Sequence, residues 1–298
     1  MATLREIRRR ITGIQNTQKI TRAMKMVAAA KLRRAQEGVT AARPYARRIS
    51  ELLRHVVTKV DPSENPLLTS RELQRVCLVV VTSETGLCGA FNSNIIRTAA
   101  LRIDEEYREL RRRDRVELIT VGKKGSEYFG KRSYNVRARH VGFFQNLTFH
   151  GAQQVVDEVT KGYLEGVFDR VEVIYNEFKS VIHQRVVVEQ LLPVPPEDLQ
   201  PPPGLKGLAQ VDYIYEPSAR EILTELVPRH LAFQLWRVFL ESFAAEQGAR
   251  MTAMGNATEN AKELITDLTL EFNNARQAAI TKELLEIVSG AEALREED

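Results

Sequence analysis

The chain has 298 residues, of which 43% are hydrophobic and 28% are charged, as in an ordinary globular protein. No apolar run reaches the roughly 18 residues that a membrane-spanning helix needs, and the N-terminus lacks the apolar core of a signal peptide, so we expect an unexported chain. Cys77 and Cys88 stand in no metal or redox spacing and are expected to be reduced thiols.

The net charge of +4 hides a strong asymmetry between the two ends of the chain. Residues 1–60 carry 15 Lys and Arg against three acidic residues, whereas residues 217–298 carry eight against 14. A basic end is compatible with binding to nucleic acid or an anionic membrane. An acidic protein partner, or pairing of the two ends with each other, explains it equally well.

The first element is a long helix, which we assign to residues 1–60. Thr3 and Glu6 have the spacing of a capping box. A heptad pattern then predicts one continuous stripe that faces a partner helix, with Pro44 as a kink or local break and DPSENP (61–66) as its end. The stripe consists of Leu4, Ile7, Ile11, Ile14, Gln18, Thr21, Lys25, Ala28, Leu32, Ala35, Val39, Ala42, Ala46, Ile49, Leu53 and Val56.

A domain with a different pattern follows at residues 61–212. Short β-branched runs at 76–82, 116–122, 171–178 and 185–194 predict buried strands. Helical patterns lie between them at about 94–112, 123–131 and 148–166. This alternation predicts a mostly parallel sheet in a Rossmann-like α/β domain.

The last segment, residues 213–290, again predicts a long helix. Its stripe runs from Leu240 to Ala279 in alternating steps of four and three, with Pro228 as a kink or new start and Gly290 as the stop. Residues 291–298 are expected to be a disordered charged tail. The stripe consists of Ala244, Gln247, Met251, Met254, Thr258, Ala261, Ile265, Leu268, Phe272, Ala275 and Ala279.

The two helices are too long for the domain that separates them. At about 1.5 Å per residue they extend roughly 85 and 105 Å, against a diameter of about 40 Å for the middle domain. We therefore predict that they pair as an antiparallel coiled coil. Such a pair buries one stripe per helix, which leaves other apolar side chains in water: Met24, Val27, Ile280, Leu284 and Ile287.

No motif indicates an active site. The turn TSETGLCGAFNSN (82–94) follows a strand, but the spacing of Gly86 and Gly89 fits neither a dinucleotide fingerprint nor a P-loop, which favours a structural turn. The five histidines have no metal-ligand spacing. Two alternative classes remain open beside a structural protein: a Rossmann-type oxidoreductase with helical arms, and a nucleic-acid-binding coiled coil.

Several longer motifs resemble one family. They are IQNTQKITRAMKMVAAAKLRRAQ (14–36), SETGLCGAFN (83–92), DYIYEP (212–217), ARMTAMGNATENA (249–261) and ARQAAITKELLEIVSGAEA (275–293). Together they resemble the γ subunit of the bacterial F-type ATP synthase. The resemblance implies a central shaft that binds no cofactor and couples the rotation of a proton- or sodium-driven ring of c subunits to ATP synthesis in the α and β subunits.

The resemblance also implies partners and site residues. Met24, Lys25, Arg276 and Gln277 are expected at the β-subunit lever and catch, and Arg250, Thr281 and Glu283 at coupling positions. Tyr213, Tyr215 and Glu216 are expected to meet the c-subunit ring and ε. The expected location is the cytoplasmic face of the plasma membrane, without nucleic acid.

The chain departs from the family pattern at three places. SETG (83–86) replaces the more usual Ser-Asp-Arg-Gly, Gly255 stands where a residue other than glycine is more usual, and the last residues read REED. Because glycine costs a helix about 1 kcal/mol, we expect Gly255 to soften the shaft locally.

Overall fold

The computed structural model describes residues 3–181, 183–199 and 214–296. The chain forms two compact units, of which the larger is Ala28–Arg250 and the smaller combines Met1–Val27 with Met251–Asp298. Their boundaries fall inside the two terminal helices.

The helices and strands follow the predicted order. The helices are α1 (Leu4–Val57), α2 (Phe91–Leu101), α3 (Arg108–Arg112), α4 (Lys123–Gly130), α5 (Phe149–Leu164), α6 (Pro196–Leu199) and α7 (Ala219–Glu296), with a π-helical segment at Arg102–Glu106. The strands are β1 (Val76–Val81), β2 (Val116–Val121), β3 (Asn135–His140), β4 (Arg170–Phe178) and β5 (Gln184–Leu192).

The ends of the long helices follow from local chemistry. At the start of α1 the Thr3 N–H donates to the Glu6 carboxylate at 2.8 Å and the Glu6 N–H donates to the Thr3 hydroxyl at 3.3 Å, so the predicted capping box is present. Both α1 and α7 continue through their prolines, Pro44 and Pro228. Helix α7 also continues past Gly290 through residues 291–296, whereas the sequence predicts a stop at Gly290 and a disordered tail over 291–298, of which 297–298 lie outside the described residues.

The five strands form one mixed sheet in the order β3-β2-β1-β4-β5. Strands β1 to β4 are parallel, and β5 runs antiparallel to β4. The mostly parallel Rossmann-like sheet is therefore confirmed. The sequence did not predict β3, whose residues (NVRARH) alternate between exposed and half-buried.

Both faces of the sheet are covered, which is why β1 is buried throughout. Val76, Leu78 and Val80 belong to a core with residues of α2 and α4. Their neighbours Cys77 and Val79 belong to a second core with residues of α5, β4, the end of α1 and the first part of α7. The terminal helices are thus part of the packing of the larger unit.

Within each unit α1 and α7 pair in opposite directions. In the larger unit the rings of Tyr45 and Phe233 lie 4.4 Å apart between centroids. In the smaller unit the hydroxyls of Thr21 and Thr258, both on the predicted stripes, are hydrogen-bonded at 2.8 Å. The stripes are buried in part, because Lys25 and Ala279 are exposed. Twelve other stripe residues are at most 7% exposed: Ile7, Ala28, Leu32, Ala35, Ile49, Leu53, Val56, Ala244, Gln247, Met254, Ala261 and Leu268.

Candidate functional site

The smaller unit carries a row of exposed apolar side chains near the end of α7. These side chains are 50–63% exposed: Ile280, Leu284, Leu285, Ile287 and Val288. On α1, Ile20, Met26 and Val27 are 55–62% exposed. Of the side chains expected in water, Met24 is instead half-buried. Exposed apolar groups at this density are typical of surfaces that bind a partner.

The polar residues expected at the β-subunit contact lie on the outside of the helices. Lys25, Arg276 and Gln277 are exposed. The Lys25 side chain lies over Gly255, where an added Cβ would stand 3.6 Å from Lys25 Nζ. The structure brings Lys25 beside Gly255, whereas no contact joins Lys25 to Arg276 among the described residues. Exposed polar side chains on this surface are available for binding.

Two of the three expected coupling positions are exposed near the end of α7. The Thr281 hydroxyl donates to the Gln277 carbonyl oxygen of its own helix at 3.0 Å, and Glu283 is exposed. The third, Arg250, is different, because it is only 8% exposed and lies at the end of the larger unit. The sequence does not distinguish these environments.

Arg250 binds the turn that follows β1. Its Nη1 donates to Glu246 Oε1 at 2.5 Å, and its Nη2 donates to the Thr85 hydroxyl at 3.0 Å and to the Thr85 and Gly86 carbonyl oxygens at 3.2 Å. Burial raises the pKa of Glu246, and the Arg250 guanidinium acts against that rise by favouring the carboxylate. The guanidinium thus joins α7 to a turn 165 residues away in sequence.

The same turn, residues 83–88, is fixed to the sheet side as well. Asn92 Oδ1 accepts from the Ser83 N–H at 3.0 Å, and the Glu84 carboxylate accepts from the backbone N–H groups of Lys123 at 3.2 Å and Phe144 at 3.4 Å. Cys88, the last residue of the turn, is 1% exposed, and burial raises the pKa of its thiol. In this chain Glu84 of SETG therefore has a structural role.

This arrangement bears on the nucleotide-binding alternative. A phosphate site after β1 needs free backbone N–H groups directed at the ligand. Here the oxygens of Thr85 and Gly86 face the Arg250 guanidinium, which α7 brings to that edge of the sheet. The geometry supports the interpretation of residues 82–94 as a structural turn.

The residues expected at the foot are only partly described. Tyr213 lies outside the described residues. Tyr215 is half-buried and packs on the core of the larger unit, with a buried hydroxyl that has no hydrogen-bond partner among the described residues. Glu216 is exposed, and Ile214 is 91% exposed.

Other kinds of site find no support in the part of the chain that is described. No group of three or more His, Cys, Asp or Glu residues suited to a metal ion occurs in residues 3–181, 183–199 and 214–296. Within the described helices, no segment combines the length and apolar character that crossing a bilayer requires. Cys77 and Cys88 are both free thiols.

Sequence reasoning missed the partners of Arg250. Glu246 and Arg250 stand four residues apart beside a stripe of small apolar residues, a spacing that predicts an ion pair. That signal was available in the sequence. The contribution of Thr85 was not, because no local pattern links positions so distant.

Comparisons with known proteins agree with this geometry. A family model described as ATP synthase matches residues 3–294. The ATP synthase gamma chain of Chlorobaculum tepidum is 54% identical over 297 residues, with 99% of this chain and 100% of the relative covered. That of Salinibacter ruber is 51% identical over 306 residues, with 99% of each chain covered.

Solved structures show the same architecture. The central stalk and c-ring structure of the Tetrahymena thermophila mitochondrial ATP synthase contains a chain with a TM-score of 0.59 and 28% identity, covering 80% of this chain and 99% of that one. A chain of the Euglena gracilis mitochondrial ATP synthase has a TM-score of 0.66 and covers 98% of this chain and 94% of its own length. Its sequence identity is 19%, so it supports the fold alone.

The chain combines a mixed sheet with paired terminal helices, and α7 carries an exposed apolar row near its end. These features define a class of subunits that act by binding partners. The family model and the relatives identify which one. This chain belongs to the ATP synthase gamma chain family.

Proposed function

We propose that this chain is the central shaft of an ATP synthase and couples the rotation of an ion-driven c-subunit ring to ATP synthesis or hydrolysis in a ring of α and β subunits. The observation that carries the proposal is the exposed apolar row at the end of α7, in a chain of this family. The subunit itself is not an enzyme. The Rossmann-type oxidoreductase and the nucleic-acid-binding protein are disfavoured by the same family assignment.

The contacts with the β subunits are assigned to both helices. Met24 and Lys25 on α1 meet a β-subunit lever, and Arg276 and Gln277 on α7 meet a catch loop. The exposure of Lys25, Arg276 and Gln277 supports this assignment. The excess of basic residues in α1 suits an acidic segment of the partner, because opposite charges steer association.

Three further residues are assigned to coupling, and three to the foot. Arg250, Thr281 and Glu283 influence how tightly rotation is linked to catalysis. Tyr213, Tyr215 and Glu216 meet the c-subunit ring and ε. The exposure of Glu216 and of the neighbouring Ile214 supports a contact surface there. The subunit then works peripherally at the cytoplasmic face of the plasma membrane.

The mechanism follows from asymmetry. A shaft with different side chains on each side touches three chemically identical β subunits differently, so their nucleotide affinities differ. Rotation exchanges those affinities among the sites. By linkage, nucleotide binding also drives the shaft, because the coupling free energy between two sites is reciprocal.

Reconstitution tests the proposal. The purified chain is mixed with α and β subunits of its own organism, and ATPase activity is measured with and without it. A 3:3:1 complex with sustained ATPase activity is expected. Failure of the chain to enter such a complex overturns the proposal.

The catch assignment has its own test. Arg276→Ala and Gln277→Ala are introduced into the complete, membrane-bound enzyme, and ATP synthesis driven by the ion gradient is compared with wild type. We expect synthesis to fall while the chain still assembles, because both side chains are exposed. Unchanged synthesis in both variants contradicts the assignment.

A further inference from the structure

The 83–88 turn is held from two sides by residues of the elements around the sheet. Ser83 bonds to Asn92 of α2, and Glu84 accepts from the backbone of Lys123 and Phe144. These contacts fix the turn within the α/β core. They do not involve α7.

Arg250 holds the third side of the turn. Among the described residues of α7, it is the one whose side chain is hydrogen-bonded to the turn. One arm of its guanidinium bonds to Glu246, one helical turn back, and the other arm bonds to Thr85 and Gly86. The planar guanidinium of arginine has five N–H donors and can bond to Glu246 and to the turn at the same time. The ammonium group of a lysine, at the end of a flexible side chain, cannot reproduce this geometry.

We propose that Arg250 is a positioning residue that locks α7 to the 83–88 turn at the point where the helix leaves the larger unit. The role rests on the proposed function as a shaft, since a lock against twisting or sliding matters only if the helix transmits torque. Close to Arg250, α7 also packs through the small apolar residues Ala244 and Ala245, which belong to buried apolar clusters. Apolar contacts are non-directional, whereas hydrogen bonds to a guanidinium fix orientation.

A second arginine of α7, the half-buried Arg237, supplies a control of the same residue type. Arg237 also pairs with a glutamate four residues along, Glu241, at 3.3 Å. Its other partners, Glu189 at 2.7 Å and the Tyr175 hydroxyl at 3.2 Å, lie on β5 and β4. Arg237→Lys therefore repeats the chemical change of Arg250→Lys at a place that does not touch the turn.

The two native cysteines report on the lock. Cys88 ends the turn and is 1% exposed, and Cys77 in β1 is fully buried. We expect Arg250→Lys in the full-length chain to raise the maleimide labelling rate of Cys88 about tenfold, because lost hydrogen bonds to a charged group ease local opening. Cys77 labelling should stay at the wild-type rate, and Arg237→Lys should leave both rates unchanged. Mass spectrometry of peptides assigns the label.

Thr85→Val provides a second route that leaves the Arg250–Glu246 pair intact and keeps the side-chain shape. It removes the hydroxyl that accepts from Arg250 Nη2. We expect a smaller rise in Cys88 labelling, which keeps the test valid if Arg250→Lys does not fold. Wild-type labelling of Cys88 in Thr85→Val and in any folded Arg250→Lys chain overturns the lock, as does an equal rise in Arg237→Lys.

Transmission of torque is tested in the assembled enzyme. With Arg250→Lys, pumping of the coupling ion per ATP hydrolysed should fall relative to wild type and Arg237→Lys, while hydrolysis continues. Raised Cys88 labelling with an unchanged pumping ratio overturns the torque role and leaves the shaft function standing. Failure of the wild-type chain to assemble overturns the proposed function, and the labelling result still decides whether the lock exists.

Discussion

At the scale of single residues, the larger unit contains a buried carboxylate that depends on its partners. Glu172 is 2% exposed in β4 and accepts two hydrogen bonds from Arg102, at 2.8 and 2.9 Å, and one from the Tyr107 hydroxyl at 2.5 Å. Burial and this carboxylate raise the pKa of Tyr107 to about 12. The network ties the π-helical segment to the sheet.

We predict that Arg102→Leu lowers the free energy of unfolding by about 3 kcal/mol, because it leaves the buried Glu172 carboxylate without its charged partner and with the Tyr107 hydrogen bond only. Chemical denaturation followed by circular dichroism measures the effect. Arg33→Leu is the control, since Arg33 and Glu37 are 83% and 61% exposed and their pair is worth under about 1 kcal/mol. Equal effects of the two substitutions contradict the assigned role.

A second residue-scale prediction concerns Gly122, which follows β2 with a φ of +95°. An added Cβ would stand 2.0 Å from the Thr82 carbonyl oxygen. We expect Gly122→Ala to destabilise the chain by about 2 kcal/mol or more, from backbone strain and this clash. Gly86→Ala meets nothing within 4 Å and should be close to neutral by the same denaturation measurement. A tolerated Gly122→Ala shows that the two segments are not so closely apposed.

At the scale of elements, α7 divides into stretches with different surroundings. Around Ala244 and Ala245 the helix is buried in the larger unit, whereas every residue from 280 to 288 is exposed. The small stripe residues explain the close packing of the first stretch. The leucines and isoleucines of the second need a partner to cover them.

We predict that Leu284→Ser with Ile287→Ser leaves the thermal unfolding of the isolated chain unchanged, because both side chains are about 60% exposed. In the assembly with α and β subunits the same pair should weaken binding of the chain tenfold or more, by roughly 1.5–3 kcal/mol for each apolar side chain buried.

The control for that prediction has the opposite expected behaviour. Leu268 is 7% exposed within the smaller unit. Leu268→Ala should destabilise the isolated chain by about 2–4 kcal/mol through the cavity it leaves. If the Leu284 and Ile287 variant instead unfolds earlier than wild type and assembles normally, the exposed row is not a binding surface.

At the scale of the whole molecule, charge is the property that separates the two ends of the chain. The isoelectric point is near 9.0, and the basic excess is concentrated in residues 1–60. Arg9 and Arg10 are exposed in α1. Such charges act mainly on the rate and salt dependence of association.

We therefore predict that Arg9→Gln with Arg10→Gln slows association of the chain with α and β subunits at low ionic strength, and that the difference shrinks as salt screens the charges. Stopped-flow assembly kinetics at several salt concentrations measure it. Arg112→Gln with Arg113→Gln removes the same charge from exposed positions in the larger unit and serves as the control. An equal slowing in both variants indicates an effect of net charge alone.

Much of the architecture was predictable because it depends on neighbours along the chain. The capping box at Thr3, the apolar stripes and the runs that became β1, β2, β4 and β5 are local patterns. Strand β3 (NVRARH) was missed because it lies at the edge of the sheet and has polar side chains. Since none of its residues is fully buried, its sequence lacks the apolar pattern that predicts a strand. For the candidate site, the sequence located the apolar row but gave no indication that Arg250 is buried.

By itself, then, the sequence determined two long amphipathic helices of unequal charge around a mostly parallel sheet, because period and composition act over a few residues. Only the tertiary structure decided that Arg250 holds the turn at Thr85, that Gly255 lies beneath Lys25 and that Met24 is half-buried. Each of these depends on which distant segments meet. These tertiary contacts are determined by the packing of the complete chain, which no local sequence pattern encodes.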